Sequence, residues 1–164
     1  MNACIVYISS RDRCIGHSIK SLWDNFNYKH DYPVYVHYFD DIYDSKEFQD
    51  SIRSITSKNI HFIPVPYKTP DFLKEEELFY NRKYIQYART SFPIYRKGYL
   101  HMCNFSSNAY GYPNTELEKY DFIMTHDDES GYTKEMDLDP FEIMSERSES
   151  FGAFIVGQRL KNGQ

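Results

Sequence analysis

Cysteine is scarce in this 164-residue chain, and the few cysteines it has form no pattern. Cys4, Cys14 and Cys103 lie far apart, and none belongs to a Cys-x-x-Cys pair. A disulfide framework or a structural zinc site needs paired spacings of that kind, so the sequence predicts neither and favours a reducing compartment. Cys103 lies in an apolar segment, which is more typical of a core residue than of a nucleophile.

Long apolar runs are also missing. No stretch reaches the roughly 18 consecutive apolar residues that a membrane-spanning helix requires. The first strand-like run begins at Ala3, directly behind the start of the chain. We therefore expect neither a signal peptide nor a membrane segment in this chain.

A net positive charge is absent as well, and so is a glycine-rich loop after the first apolar run. The net charge of −5 and an isoelectric point near 5.7 argue against a general nucleic-acid binder. The segment that follows the first apolar run, residues 9–13, contains no glycine. Dinucleotide and P-loop phosphate cradles depend on glycines at this position, so NAD, FAD and ATP-type cradles are disfavoured.

Aromatic residues, by contrast, are abundant. The 16 tyrosines and 12 phenylalanines far outnumber the 7 leucines and 4 alanines. Rings and isoleucine must therefore fill much of the core, and tyrosine hydroxyls at its edge can serve a polar cleft. A compositional bias of an AT-rich genome explains the same excess, so the rings alone do not indicate a function.

The hydrophobic pattern predicts an α/β domain over residues 1–164, with a mostly parallel sheet flanked by helices. Apolar stripes of helical spacing alternate with short runs of β-branched and aromatic residues. Strands are predicted at residues 3–9, 34–39, 59–64, 119–125 and 151–156. Helices are predicted from about residue 16, from residue 45, over 75–95 with a break at Pro93, over 100–107 and from residue 137.

The acidic triplet Asp127, Asp128 and Glu129 follows the most legible predicted strand. Strand ends of this kind lie at the carboxyl edge of an open α/β sheet, where such folds bind ligands. If the segment is extended, Asp127 and Glu129 point the same way, and hard oxygen ligands of this type suit Mg²⁺ or Mn²⁺. His126 is a further candidate ligand, and a solvated acidic turn is the alternative.

Two other strand ends carry candidate nucleotide-binding residues. Asp40 and Asp41 follow the second strand, where acids often accept hydrogen bonds from a ribose or a base edge. The alternative is that they cap the next helix. Arg11 follows the first strand and is suited to pair with a phosphate, or equally with a surface carboxylate.

The chain resembles the fungal α-1,2-mannosyltransferases of glycosyltransferase family 15. The segment from Tyr99 to Ser107 is similar to the family block Tyr-x-His-Met-Cys-Arg-Phe-x-Ser-Gly. The strand at Tyr120 and the acids Asp127 to Glu129 look like the family's Tyr-Asp strand, which ends in Glu-Pro-Asp. The similarity continues to Phe141, and the runs that end at Arg11 and at Asp41 also match the family pattern.

This resemblance implies a GT-A-like, Rossmann-like fold that binds GDP-mannose with Mn²⁺ or Mg²⁺. Asp127 and Glu129 take the positions of the metal-associated Glu and Asp, and Asp128 replaces the proline. Tyr99 matches the active-site tyrosine and is also assigned to donor binding, together with Arg11, Asp40, Asp41 and Asp128. The implied reaction transfers mannose to a mannose-containing glycan with retention of configuration.

The same resemblance implies that a C-terminal acceptor half with the candidate catalytic carboxylate is missing from residues 1–164. The alternative to an active enzyme is therefore a non-catalytic or truncated nucleotide-sugar-binding remnant. Relatives are anchored in the Golgi, so a fragment of such an enzyme is expected in the Golgi lumen. A complete gene product of this length is expected in the cytoplasm.

Overall fold

The computed structural model describes six stretches of the chain, residues 1–9, 14–39, 41–56, 59–65, 105–106 and 116–147. They contain a four-stranded parallel sheet with the order β3-β2-β1-β4. The strands are β1 (Ala3–Ser9), β2 (Val34–Tyr38), β3 (Ile60–Pro64) and β4 (Phe122–Asp127). The helices are α1 (Ile15–Asn25), α2 (Lys46–Arg53) and α3 (Pro140–Arg147).

These elements confirm the α/β pattern expected from the sequence, with shifted ends. The strand predicted from residue 119 begins at Phe122, because Tyr120 closes a turn with its N–H 3.1 Å from the carbonyl of Leu117. The helix predicted from residue 137 begins at Pro140. The predicted elements over 75–95, 100–107 and 151–156 lie outside the described residues, except for 105 and 106, which are helical.

Strand β1 is buried on both faces, as its continuous apolar run predicts. Ile5 and Tyr7 face the larger core cluster, whereas Cys4 and Val6 face a smaller one on the other side of the sheet. Burial raises the pKa of the Cys4 thiol to about 12. Cys4 is therefore an inert core residue rather than a nucleophile.

The larger cluster lies between the sheet and the three helices. The apolar stripe of α1 buries Ile15, Ile19 and Leu22 in it, and Phe26 continues the stripe just beyond the helix. Helix α2 begins as predicted, with Ser45 accepting the Phe48 N–H at 3.3 Å. An oxygen acceptor at this position satisfies a backbone donor that the first helical turn leaves unpaired. These three helices thus cover one face of the sheet.

The opposite face carries a buried histidine near the end of β2. His37 has only 3% of its side chain exposed, and its Nε2 lies 2.6 Å from a carboxylate oxygen of Glu116. Its Nδ1 has no hydrogen-bond partner. Burial lowers the pKa of His37, and the hydrogen bond to Glu116 only partly opposes this effect. The structure therefore favours the neutral imidazole at this position.

The free energy of unfolding is expected to decrease in acid because of His37. Its lowered pKa means that the unfolded chain takes up a proton at a higher pH than the folded protein does, so stability is lost as the pH falls below about 6.5. Urea midpoints at about pH 7.5 and about pH 5.5 measure the effect. A His37→Gln variant should show a smaller pH dependence, and an unchanged dependence would contradict this account.

None of the helices among the described residues has the length and apolar character needed to cross a bilayer.

Candidate functional site at the carboxyl edge of the sheet

The strand order creates a switch point between β1 and β4. Strand β1 pairs with β2 on one side, and the chain returns after β3 to add β4 on the other side. In open α/β sheets, ligands bind outside the carboxyl ends of the strands where the order reverses in this way. The acidic triplet leaves β4 at this point, which confirms that it lies at the carboxyl edge.

A chain of buried hydrogen bonds joins the strand ends at the switch point. The Ser9 hydroxyl, at the end of β1, donates to Oδ2 of Asp128 at 2.6 Å. The hydroxyls of Tyr43 and Ser9 are also 2.6 Å apart. Ser9 has a single hydroxyl hydrogen and donates it to Asp128, so the Tyr43 hydroxyl is the donor in its contact with Ser9.

The three residues joined by these hydrogen bonds are all excluded from solvent. Ser9 and Tyr43 have no exposed surface, and Asp128 is 4% exposed. Buried carboxylates are tolerated only when hydrogen bonds or charges compensate for their lost hydration. Asp128 is therefore an internal element of the site, although it lies within an acidic surface turn.

The two neighbouring acids are exposed and belong to a turn. The Ser130 N–H donates to the carbonyl of Asp127 at 3.1 Å, and the Glu129 N–H donates to Asp127 Oδ1 at 3.2 Å. The strand ends at Asp127, so the extended conformation assumed for the triplet was wrong beyond that residue. The different environments of Asp128 and its neighbours arise from this turn rather than from strand alternation.

The His126 side chain contacts the acidic turn. Its ring lies between those of Tyr7 and Tyr132, with centroid distances of 5.0 and 5.4 Å. Its Nδ1 lies 2.8 Å from the Ser130 hydroxyl, and burial lowers its pKa. In this candidate ligand, Nδ1 is therefore engaged by the turn itself.

Helix α1 fixes the loop that follows the turn. Ser18 donates to the Asp127 carbonyl at 3.2 Å, and Ser21 accepts the Tyr132 N–H at 2.7 Å. Gly131 makes this close approach feasible, since a Cβ there would lie 3.1 Å from the Ser21 hydroxyl. The backbone of the acidic turn is therefore held by both β1 and α1.

The exposed carboxylates are ligands of the type that divalent cations prefer, but two of them are too few to form a complete metal site. Asp127 and Glu129 offer hard oxygen ligands of the kind that Mg²⁺ and Mn²⁺ prefer. Within the part of the chain that the structure describes, no group of three or more His, Cys, Asp or Glu side chains could hold a metal ion. A cation bound here would take its other ligands from a bound phosphate, from water or from further residues.

Among the remaining predicted site residues, the structure describes only Asp41. Asp41 opens a short 3-10 turn, Asp41–Asp44, which follows β2 at the same edge of the sheet. Arg11, Asp40 and Tyr99 lie outside the described residues. Ser9 and Tyr43 did not emerge from the sequence pattern, because neither belongs to an acidic or basic motif.

Comparisons with known proteins agree with this architecture. A family model described as glycolipid 2-alpha-mannosyltransferase matches residues 1–160. Core-mannan synthase A (CmsA/Ktr4) from Aspergillus fumigatus, solved in a Mn/GDP form, superposes with a TM-score of 0.73 at 21% identity. The mannosyltransferase Ktr4p from S. cerevisiae in complex with GDP gives a TM-score of 0.72, also at 21% identity.

The match is extensive for this chain but partial for the solved structures. It covers 90% of this chain in both cases, and 40% of the Aspergillus chain and 38% of the yeast chain. A search of curated proteins found no match. The superpositions confirm the predicted GT-A-like fold, and the family match covers nearly the whole sequence. The chain therefore belongs to the glycolipid 2-alpha-mannosyltransferase family.

Proposed function

We propose that this chain forms the donor-binding part of a metal-dependent mannosyltransferase that uses GDP-mannose. The observation that carries the proposal is the acidic turn at the β1–β4 switch point, in a chain that belongs to this family. The Mn/GDP form of the Aspergillus relative supports the same assignment of cation and nucleotide. The acceptor is proposed to be a mannose-containing glycan, and the transfer is proposed to retain the α configuration.

Asp127 and Glu129 would hold Mn²⁺ or Mg²⁺ in this proposal. Both are exposed beside the switch point, and the turn hydrogen bonds fix their backbone. When bound, the cation neutralises charge on the diphosphate leaving group. The chain's own contribution is to hold two carboxylates at one fixed position, so that little reorganisation is needed when the donor arrives.

The nucleotide would lie along the same edge of the sheet. We assign Asp40 and Asp41 to the ribose or base, Arg11 to the phosphates and Tyr99 to the active site. The order of the strands supports the assignment of Arg11, Asp40 and Asp41, because β1 and β2 end at the same edge of the sheet as β4 and these residues follow the two strands in the sequence. The sequence prediction also gave Asp128 a contact with the donor, and its burial leaves little surface for one.

A non-catalytic nucleotide-sugar-binding protein is the second candidate. The chain spans about two fifths of the length of the solved relatives, so transfer of mannose by residues 1–164 is itself a proposal. The proposed compartment for an anchored enzyme of this family is the Golgi lumen.

A product assay with GDP-mannose and methyl α-mannoside separates the two candidates. For the 164-residue chain we expect binding of GDP in the presence of Mn²⁺ with little or no transfer. Sustained disaccharide formation would show that these residues suffice for catalysis. Release of free mannose without disaccharide would indicate a working donor site that lacks an acceptor.

A further inference from the structure

We propose that Tyr43 and Ser9 are positioning residues that orient Asp128 and thereby hold the acidic turn in its cation-binding geometry. The inference rests on the proposed function, since it concerns the same turn. It assigns Asp128 to the support of the site instead of to contact with the donor. In the resemblance described above, Asp128 takes the place of a proline, so its carboxylate is not part of that pattern.

The first step of the argument is that Asp128 needs partners. A proline in a turn restricts the backbone through its ring. A carboxylate has no such effect by itself, and at 4% exposure it must be compensated by hydrogen bonds. Ser9 supplies one such bond at 2.6 Å, from the strand that lies beside β4 in the sheet.

The second step is that Tyr43 fixes the Ser9 hydroxyl. A serine hydroxyl rotates freely unless both its hydrogen and its lone pairs are engaged. The Tyr43 hydroxyl approaches Ser9 to 2.6 Å, and the Tyr43 ring is fully buried in the larger core cluster. Rings of Tyr38 and Phe48 lie 5.1 and 5.0 Å from that ring, so the donor is held in place.

The third step connects the hydrogen bonds among Tyr43, Ser9 and Asp128 to the exposed acids of the turn. Asp127 and Glu129 are the direct neighbours of Asp128 in the turn, so a fixed Asp128 side chain also limits the backbone conformations open to both. The Ser9 carbonyl also accepts the Phe39 N–H at 3.2 Å on the other side of β1. One residue, Ser9, therefore joins the end of β2, which leads to Asp40 and Asp41, to the acidic turn after β4.

A matched pair of variants tests the proposal. Tyr43→Phe removes the hydroxyl that contacts Ser9, and Tyr38→Phe removes the hydroxyl of the neighbouring stacked ring, which instead donates to Asp44. We expect Tyr43→Phe to weaken GDP affinity in Mn²⁺ about fivefold and to leave affinity without metal within about twofold. Tyr38→Phe should leave both values within about twofold. Equal effects of the two variants would overturn the proposal.

Amide hydrogen exchange provides a readout that needs no ligand. We expect Tyr43→Phe to accelerate exchange of the Glu129 and Ser130 amides about threefold or more relative to Tyr38→Phe, with exchange in β1 unchanged. Ser9→Ala should act in the same direction. If the wild-type chain binds no GDP, the proposed function fails, and the exchange data still decide the inference. Exchange in the turn that is identical in the two tyrosine variants would overturn it.

Discussion

The double variant Asp127→Asn with Glu129→Gln is expected to lose the Mn²⁺-dependent gain in GDP affinity, an effect on the order of tenfold or more. The amides keep the size of the side chains and remove both negative charges from the turn. Because both residues are exposed, the free energy of unfolding should change by no more than about 0.5 kcal/mol. Titrations of GDP with and without Mn²⁺ measure the ratio of affinities directly.

Glu135→Gln is the matched control for this variant. Glu135 is an exposed acid further along the same segment, but its carboxylate contacts Tyr28 and Lys29 beyond the C-terminal end of α1. Its replacement should leave the Mn²⁺ effect on GDP affinity unchanged. A double variant that retains the full metal effect would show that the cation is held elsewhere.

Asp139→Ala is expected to lower the free energy of unfolding by about 3 kcal/mol. The buried carboxylate accepts the Tyr32 hydroxyl at 2.6 Å and the Phe141 N–H at 2.9 Å. The second bond satisfies a donor in the first turn of α3, while the first ties that helix to the segment that enters β2. Removing the carboxylate leaves both donors without this acceptor, at a place where Tyr32 also packs against Phe141.

Urea denaturation of Asp139→Ala beside Asp137→Ala checks this value. Asp137 is exposed and lies two residues earlier, so its replacement should change stability by no more than about 0.5 kcal/mol. Similar losses in the two variants would mean that the general charge of the segment matters. A loss below about 1 kcal/mol in Asp139→Ala would contradict the role assigned to the buried carboxylate.

The framework of the fold was predictable because its signals are local. The apolar run of β1 predicted burial on both faces, and the spacing of Ile15, Ile19 and Leu22 predicted the buried side of α1. Errors occurred where a turn interrupts an apolar segment, as at Tyr120. Its backbone hydrogen bond to Leu117 shortens β4 at the start, and residue type alone does not indicate such a bond.

The site was predictable only to the level of its acidic residues. The triplet could be assigned to the carboxyl edge because it directly follows a strand. The contact of Ser9 with Asp128 joins residues 119 positions apart, and it depends on the register of β1 against β4. The role of Tyr43 was likewise not predictable, because nothing in the sequence distinguishes this tyrosine from the other 15.

Calorimetric titration of the wild-type chain with GDP in the presence of Mn²⁺ is the most direct test of the donor-binding assignment. The account predicts a saturable heat of binding that becomes much weaker when Mn²⁺ is removed or when Asp127 is replaced by Ala. The absence of heat with the wild-type chain would contradict it, and so would an equal heat with Asp127→Ala.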